Sequence, residues 1–272
     1  MLTRRAFGGA TLAAAVAPAQ ESKQARGRRV LDEALAALGG PKFAAMRDRV
    51  ETGRAYSFYR DRMTGLARAA ISTRYVMRPE PPTAEPNVYQ RERQSFRDKK
   101  DKEEFAYLFD ETKGWEITFR GVRPFPAERI ERYRDSTRRN IFYILRQRLG
   151  EPGLIVESAG SQVFENQPVE LVDIVDGDNN TVTVYFHRTT KLPTRQVYFR
   201  RDPIARERHE EVTIFGKFRD SGGGVMWPWA ITRTRDGDKV FEIFSDSVKI
   251  NTALDDSRFT MPVNLPLLPE GK

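Results

Sequence analysis

Two periodicities divide the chain. Apolar residues first recur at three- and four-residue spacing, with Val30, Leu31, Ala34, Leu35 and Leu38 forming one stripe within Val30–Met46. That spacing predicts an amphipathic helix, broken by Gly39-Gly40-Pro41 before a short second turn through Phe43 and Met46. From Val50 the period shortens to two, the alternation of a strand. Strands are predicted over Val50–Tyr59, Ala67–Met77, Val88–Phe96, Phe105–Phe109 and Trp115–Phe119. A proline-rich loop (Pro79, Pro81, Pro82, Pro86) separates the second from the third, and Asp110–Gly114 reads as a hairpin turn.

Helical spacing returns over Glu128–Leu149, where Ile130, Tyr133, Thr137, Ile141, Ile144 and Leu145 make a second stripe among seven arginines. Gly150 and Pro152 end it. Six more strands follow over Val169–Val175, Thr181–His187, Thr194–Phe199, Glu210–Phe215, Val225–Thr234 and Val240–Ile250, separated by short turn-forming segments. Such short connections join antiparallel neighbours, so this half is a meander. The expected fold is mainly β, an antiparallel sheet of about 10 to 12 strands with two helices. Twist accumulates across so wide a sheet, so it curls, and helices across its mouth then enclose an apolar space.

Composition changes the picture in three ways. With 39% hydrophobic, 11% aromatic and 31% charged residues, the chain reads as a soluble globular protein rather than a disordered or integral membrane one. Residues 1–19 combine a basic start, a short Gly/Ala-rich run and a small-residue site at Ala17-Pro18-Ala19, the pattern of a removable export signal. Thr3-Arg4-Arg5-Ala6-Phe7 resembles the twin-arginine signal, although Gly8-Gly9 stand where Leu-Lys is usual, which leaves the general secretory route open. A polar linker, 20–29, and one domain, 30–272, are expected to follow. There is no cysteine, hence no disulfide and no lipidated anchor, and the expected product is a soluble periplasmic monomer. Without Arg4 and Arg5 the 46 basic residues fall to 44 against 38 acidic ones, a surplus suited to anionic headgroups or envelope polyanions. Nucleic acid is the wrong partner for an exported protein.

Reactive chemistry is sparse. Only His187 and His209 are present, with no metal-ligand spacing around them. No serine lies in a G-x-S-x-G elbow, and Ser158 and Ser161 sit in ESAGSQ, which reads as a turn. Asp255-Asp256 fits a turn or short helical cap after Asn251 better than a carboxylate pair. Gly222-Gly223-Gly224 is followed by VMWPWAIT rather than a helix, so it reads as the bend of a hairpin and not as a phosphate loop. No catalytic residue, metal or cofactor is assigned.

Several segments resemble the LolA/LolB-like periplasmic lipoprotein-carrier superfamily, in particular its outer membrane lipoprotein-sorting branch. They are LDEALAALGGPKFAAMRDRVETGRAYSF, FDETKGWEITFRG, and the stretch from KLPTRQVYFRRDP through FGKFRDSGGGVMWPWAI to DSVKINTALDDSRFTMP. Leu192-Pro193 with Arg195 looks like the family's GLPxR strand opening, with Lys191 in place of Gly. Phe218, Ser221, Gly223, Gly224, Val225 and Pro228 look like its Gly-Gly hairpin, and Leu254–Phe259 like its closing motif. The resemblance implies a strongly curved, unclosed antiparallel barrel capped by helices, with Phe259 plugging one end and an interior that accepts lipid or lipoprotein acyl chains. Trp115, Phe186, Phe199, Trp227, Trp229 and Phe241 are the expected cavity lining. Arg132, Arg138, Arg139 and Arg146 are expected to meet headgroups, the membrane surface or membrane proteins. The alternative is an envelope interaction protein that binds a polyanion or a protein through its basic surface and has no ligand cavity.

Overall fold

A computed structural model describes residues 21–78, 88–202 and 206–271. The expected export signal and most of the proline-rich loop lie outside the described residues. Helix α1 (Lys23–Ala37) starts where Ser22 Oγ accepts the Ala25 amide at 3.1 Å. It therefore takes in most of the segment expected to be a linker, because a polar helical turn needs no apolar stripe once its end is capped. A short helix α2 (Pro41–Ala44) follows.

The first meander comprises β1 (Asp48–Tyr59), β2 (Arg62–Tyr75), β3 (Gln90–Arg97), β4 (Glu103–Phe109), β5 (Gly114–Thr118) and β6 (Gly121–Pro124). A helical crossing carries α3 (Ala127–Arg138), α4 (Ile141–Tyr143) and a π-helical turn (Ile144–Arg148). The second meander runs through β7 (Ile155–Phe164), β8 (Gln167–Val175), β9 (Thr181–His187), β10 (Pro193–Arg201), β11 (Arg208–Asp220), β12 (Met226–Arg235) and β13 (Asp238–Ile250). A 3-10 turn (Asp256–Phe259), capped by the Asp255 side chain, follows.

These strands form one antiparallel sheet in the order β6-β5-β4-β3-β2-β1-β13-β12-β11-β10-β9-β8-β7. The sheet is strongly curved and unclosed, with β6 and β7 at its two ends. The C-terminal segment covers the β6 end: the Val122 amide donates to Pro266 O at 2.9 Å and the Leu268 amide to Val122 O at 2.8 Å. Curvature follows from what one short helical segment reaches. The Ile141 amide donates to Gln196 on β10, Phe142 meets Phe215 on β11 and Trp227 on β12, and Gln147 donates to the carbonyls of Val76 and Tyr89 beside β2 and β3.

Three expectations differ in detail. The helix expected over Glu128–Leu149 is broken at Arg139-Asn140, where the Asn140 side chain accepts the Phe142 amide at 2.9 Å. An internal Asn that captures a backbone donor starts a new helix, and the apolar stripe runs through the break and conceals it. The ESAGSQ segment lies within β7 and not in a turn, with a bulge at Gly160, φ 100°. Phe259 packs on the outer face of the sheet with Ala106, Leu108, Ile117 and Val122, rather than plugging an end.

Gly53 marks a bulge in the β1–β13 ladder, and a Cβ there would lie 2.2 Å from Phe244 O and 2.7 Å from Ser245 Cα. Both atoms are backbone and cannot swing aside. Gly53→Ala is expected to cost about 2 kcal/mol, the scale of core overpacking, while Gly150→Ala, with open space around it, leaves the melting temperature unchanged in thermal denaturation.

Candidate functional site

Alternation along the strands gives the sheet an inner face, toward the helices, and an outer face. Over the β7–β12 half the helices fill the inner face. Val30, Leu31 and Ala34 of the first helix, Leu38 that caps it, and Ile141, Phe142, Ile144 and Leu145 of the crossing pack with Val172, Val184, Phe186, Phe215 and Trp227 into one apolar core. Gly27 allows the close approach of α1, since a Cβ there would lie 2.8 Å from the backbone of Glu157 and Ser158.

Toward β13, β1 and β2 this cover ends. Ala55, Ala69 and Ile243 form a floor of small and branched side chains, flanked by half-buried Ile71, Phe96, Ile231 and Phe241. One wall of this apolar strip is a run of rings. Phe96 stacks on Phe105 at 4.8 Å, and the run continues through Tyr107, Phe125 and Phe109 to Tyr133 of α3, which stacks on Phe109 at 3.8 Å. Burial pushes the Tyr133 hydroxyl well above its ordinary pKa, so it stays neutral beside Gln90 Nε2, 3.0 Å away.

Between strip and core lies a buried polar cluster. Arg49 pairs with Glu51, donates to Thr73 Oγ1 at 3.0 Å, and stacks over the Trp227 ring at 4.2 Å. Ser245 Oγ donates to Glu51, and Thr73 Oγ1 reaches Glu92 at 3.4 Å. Arg49 and Glu51 are 8% and 1% exposed, so each charge depends on the other and on these hydroxyls. The arrangement is amphiphilic: an apolar strip that ends at a fixed set of charges and hydroxyls.

The six expected lining residues do not come together. Phe186 and Trp227 are buried in the core under the helices, and Trp229 is half-buried against it with Nε1 on Ser221 Oγ at 3.2 Å. Phe241 alone of the six flanks the strip. Trp115 packs on the outer face with Leu108 and Val122, and Phe199 is 44% exposed beneath Arg208. Of the four expected headgroup arginines, Arg138 pairs with Glu151, Arg139 with Asp135 and Asn180, and Arg146 donates to Met46 O at 3.1 Å. Arg132 is exposed and, among the described residues, paired only with its helical neighbour Glu128. His187 Nδ1 accepts the amides of Thr189 and Thr190 at a turn, and His209 Nδ1 lies 2.7 Å from Asp236. The three glycines do form the β11–β12 bend, with Asp220 Oδ1 accepting from Gly222 and Gly224.

Sequence reasoning missed the ring wall and the polar cluster. Phe105, Tyr107 and Phe109 alternate on one face of β4, and Arg49, Glu51 and Thr73 occupy inward positions of β1 and β2, so both signals lay in strand parity. Arg49→Met leaves Glu51 buried without its counter-ion and is expected to cost about 3 kcal/mol in urea denaturation, with Arg49→Met/Glu51→Gln regaining most of it.

No protein-family model matches the chain, and no curated protein matches it in sequence. Solved structures match in shape. A domain named for outer membrane lipoprotein sorting, from Vibrio parahaemolyticus, is 11% identical, covers 86% of this chain and 96% of its own length, and superposes with a TM-score of 0.55. A DUF1329 family protein from Desulfovibrio piger, also 11% identical, covers 86% and 97% with a TM-score of 0.57. A LolA superfamily protein from Nitrosomonas europaea, again 11% identical, covers 86% and 97% with a TM-score of 0.52. With superposition over 86% of the chain and nearly all of each neighbour, the chain has the fold of the LolA superfamily and of the lipoprotein-sorting domains.

Proposed function

We propose that the protein is a non-enzymatic periplasmic carrier or binding protein for a lipid or a lipoprotein acyl chain, held along the inner face of the sheet. The observation that carries this reading is the strip of Ala55, Ala69, Ile71, Phe96, Phe241 and Ile243, a cluster without a helix residue whose buried floor, Ala55, Ala69 and Ile243, is closed over only by half-buried side chains of the strands themselves. An acyl chain gains about 0.8 kcal/mol for each methylene it buries, so half a chain on such a strip is held by several kcal/mol without a polar contact. The names of two structural neighbours, lipoprotein sorting and LolA, point to the same class of ligand. A non-enzymatic role is supported by the commitment of both histidines to structural hydrogen bonds, His187 at the end of β9 to the turn amides that follow it and His209 near the start of β11 to Asp236. The export-signal pattern of residues 1–19 supports the periplasm.

The test is uptake of a fluorescent fatty acid by the purified protein. Ala69→Trp, which fills the floor, is expected to weaken uptake at least tenfold, whereas Trp115→Phe on the outer face leaves it unchanged. A wild-type protein that takes up no fatty acid, or an Ala69→Trp variant that folds and binds as well as wild type, overturns the reading.

A further inference from the structure

The arginines expected to meet a membrane are largely committed inside the protein, whereas another set has no acid. Among the described residues Arg54, Arg60, Arg62 and Arg68 of the β1–β2 hairpin, and Lys217 beside it, form no ion pair. Of the acids nearby, Asp61 accepts the Lys239 amide at 2.8 Å and Glu242 takes Thr232 Oγ1 and Lys239 Nζ, while Asp238 and Asp246 form no ion pair with these arginines among the described residues. Arg54 stands directly opposite Arg68, and Arg68 opposite Arg97, whose own partner is Asp101, so one row of guanidinium groups crosses three adjacent strands on the outer face. Directly opposed like charges destabilise a sheet. A row of them is a cost that an anionic surface outside the protein would offset.

The same hairpin carries exposed apolar side chains. Tyr59, Met63 and Leu66 are 65%, 59% and 56% exposed within eight residues of one another. Leu66 faces Tyr56 across the hairpin, next to the Arg54–Arg68 pair, and Tyr56 packs edge-on against Phe244 at 6.0 Å. β3 pairs with β2 only as far as Arg68, so Arg62–Ala67 extend past its last pairing on that side, whereas on the other side β13 continues to Asp238 and the tip residue Asp61 accepts the Lys239 amide. Apolar side chains at an exposed tip, ringed by unpaired guanidinium groups, match a surface with negative charge outside and hydrocarbon beneath it.

We propose that the β1–β2 hairpin docks the protein onto an anionic lipid bilayer, with Tyr59, Met63 and Leu66 entering the headgroup layer and Arg54, Arg60, Arg62 and Arg68 contacting phosphates. The docking does not depend on whether the inner strip holds an acyl chain, and vesicle binding is measured separately from fatty-acid uptake.

Co-sedimentation with vesicles of phosphatidylcholine alone, and of phosphatidylcholine with an equal part of phosphatidylglycerol, tests it. Binding is expected to the anionic vesicles only and to weaken as salt is raised. Arg60→Gln/Arg62→Gln is expected to lower the affinity about 25-fold, about fivefold for each charge removed at the surface. Met63→Glu/Leu66→Glu should abolish binding, while Arg132→Gln on α3 leaves it unchanged. All four positions lie at exposed sites, and unchanged circular dichroism confirms folding. Equal binding to neutral vesicles, no binding to either, or full retention of binding by both double variants overturns the proposal. So does a vesicle affinity that falls as far in Arg132→Gln as in the hairpin variants. Capture by an anionic protein in place of the bilayer would appear as no binding to either vesicle.

Discussion

The β1–β13 ladder is the constraint on which the rest depends. The two meanders are each held by local hairpins, but only this pairing, from Arg49↔Ile250 to Ser57↔Phe241, makes them one sheet. It joins strands some two hundred residues apart, so its loop-closure entropy must be offset by long-range contacts. Asp48 fastens one end, accepting from the amides of Thr252 and Ala253 and from Thr252 Oγ1. Once the seam is closed, β6 and β7 become the free ends and the segment joining them has to cross the inner face. The helical crossing is thus a consequence of topology, and its apolar stripe supplies the core that the inner face requires.

That crossing covers one half of the inner face far better than the other. Its buried end is locked by charge: Arg148, 4% exposed, pairs with Glu151 and Asp176 and so ties the π-helical turn to the β8–β9 turn. Burial alone would raise the pKa of both carboxyls, yet hydrogen bonds and Arg148 hold both below the ordinary values. Among the described residues no ion pair ties the crossing to β1 or β2, where Arg146 and Gln147 reach only the strand ends at Met46 and Val76 and the Ala55–Ala69 floor and the Arg49 cluster lie between. The asymmetry places the candidate ligand strip beside the seam rather than at the centre of the core.

Much of the fold was legible because period-two alternation survives in eleven of the strands. β6 was not, being four residues ending in proline, and β7 was not, because it lies at an end of the sheet and its ESAGSQ centre carries a glycine bulge. The site was less legible than the fold for a definite reason. Alternation separates two faces without saying which is concave, and Trp115 and Phe199 fell on the outer one while Phe186 and Trp227 went under the helices. Phe241 reached the strip, but small residues such as Ala55 and Ala69 gain their meaning only from neighbours on other strands.

The arginines teach the same lesson about charge. A helix with seven of them has the composition of a membrane-surface element, yet Glu128, Asp135, Glu151 and the Met46 carbonyl absorb four of the cations. Along β1 and β2 the density of arginine is no greater, but Arg54 and Arg68 sit opposite each other and, among the described residues, neither forms an ion pair. Net charge therefore measures little about where a basic protein meets an anionic surface. What matters is the charge left after internal pairing, and part of that remainder lies on the β1–β2 hairpin, which also exposes apolar side chains, so that attraction and insertion can act together there.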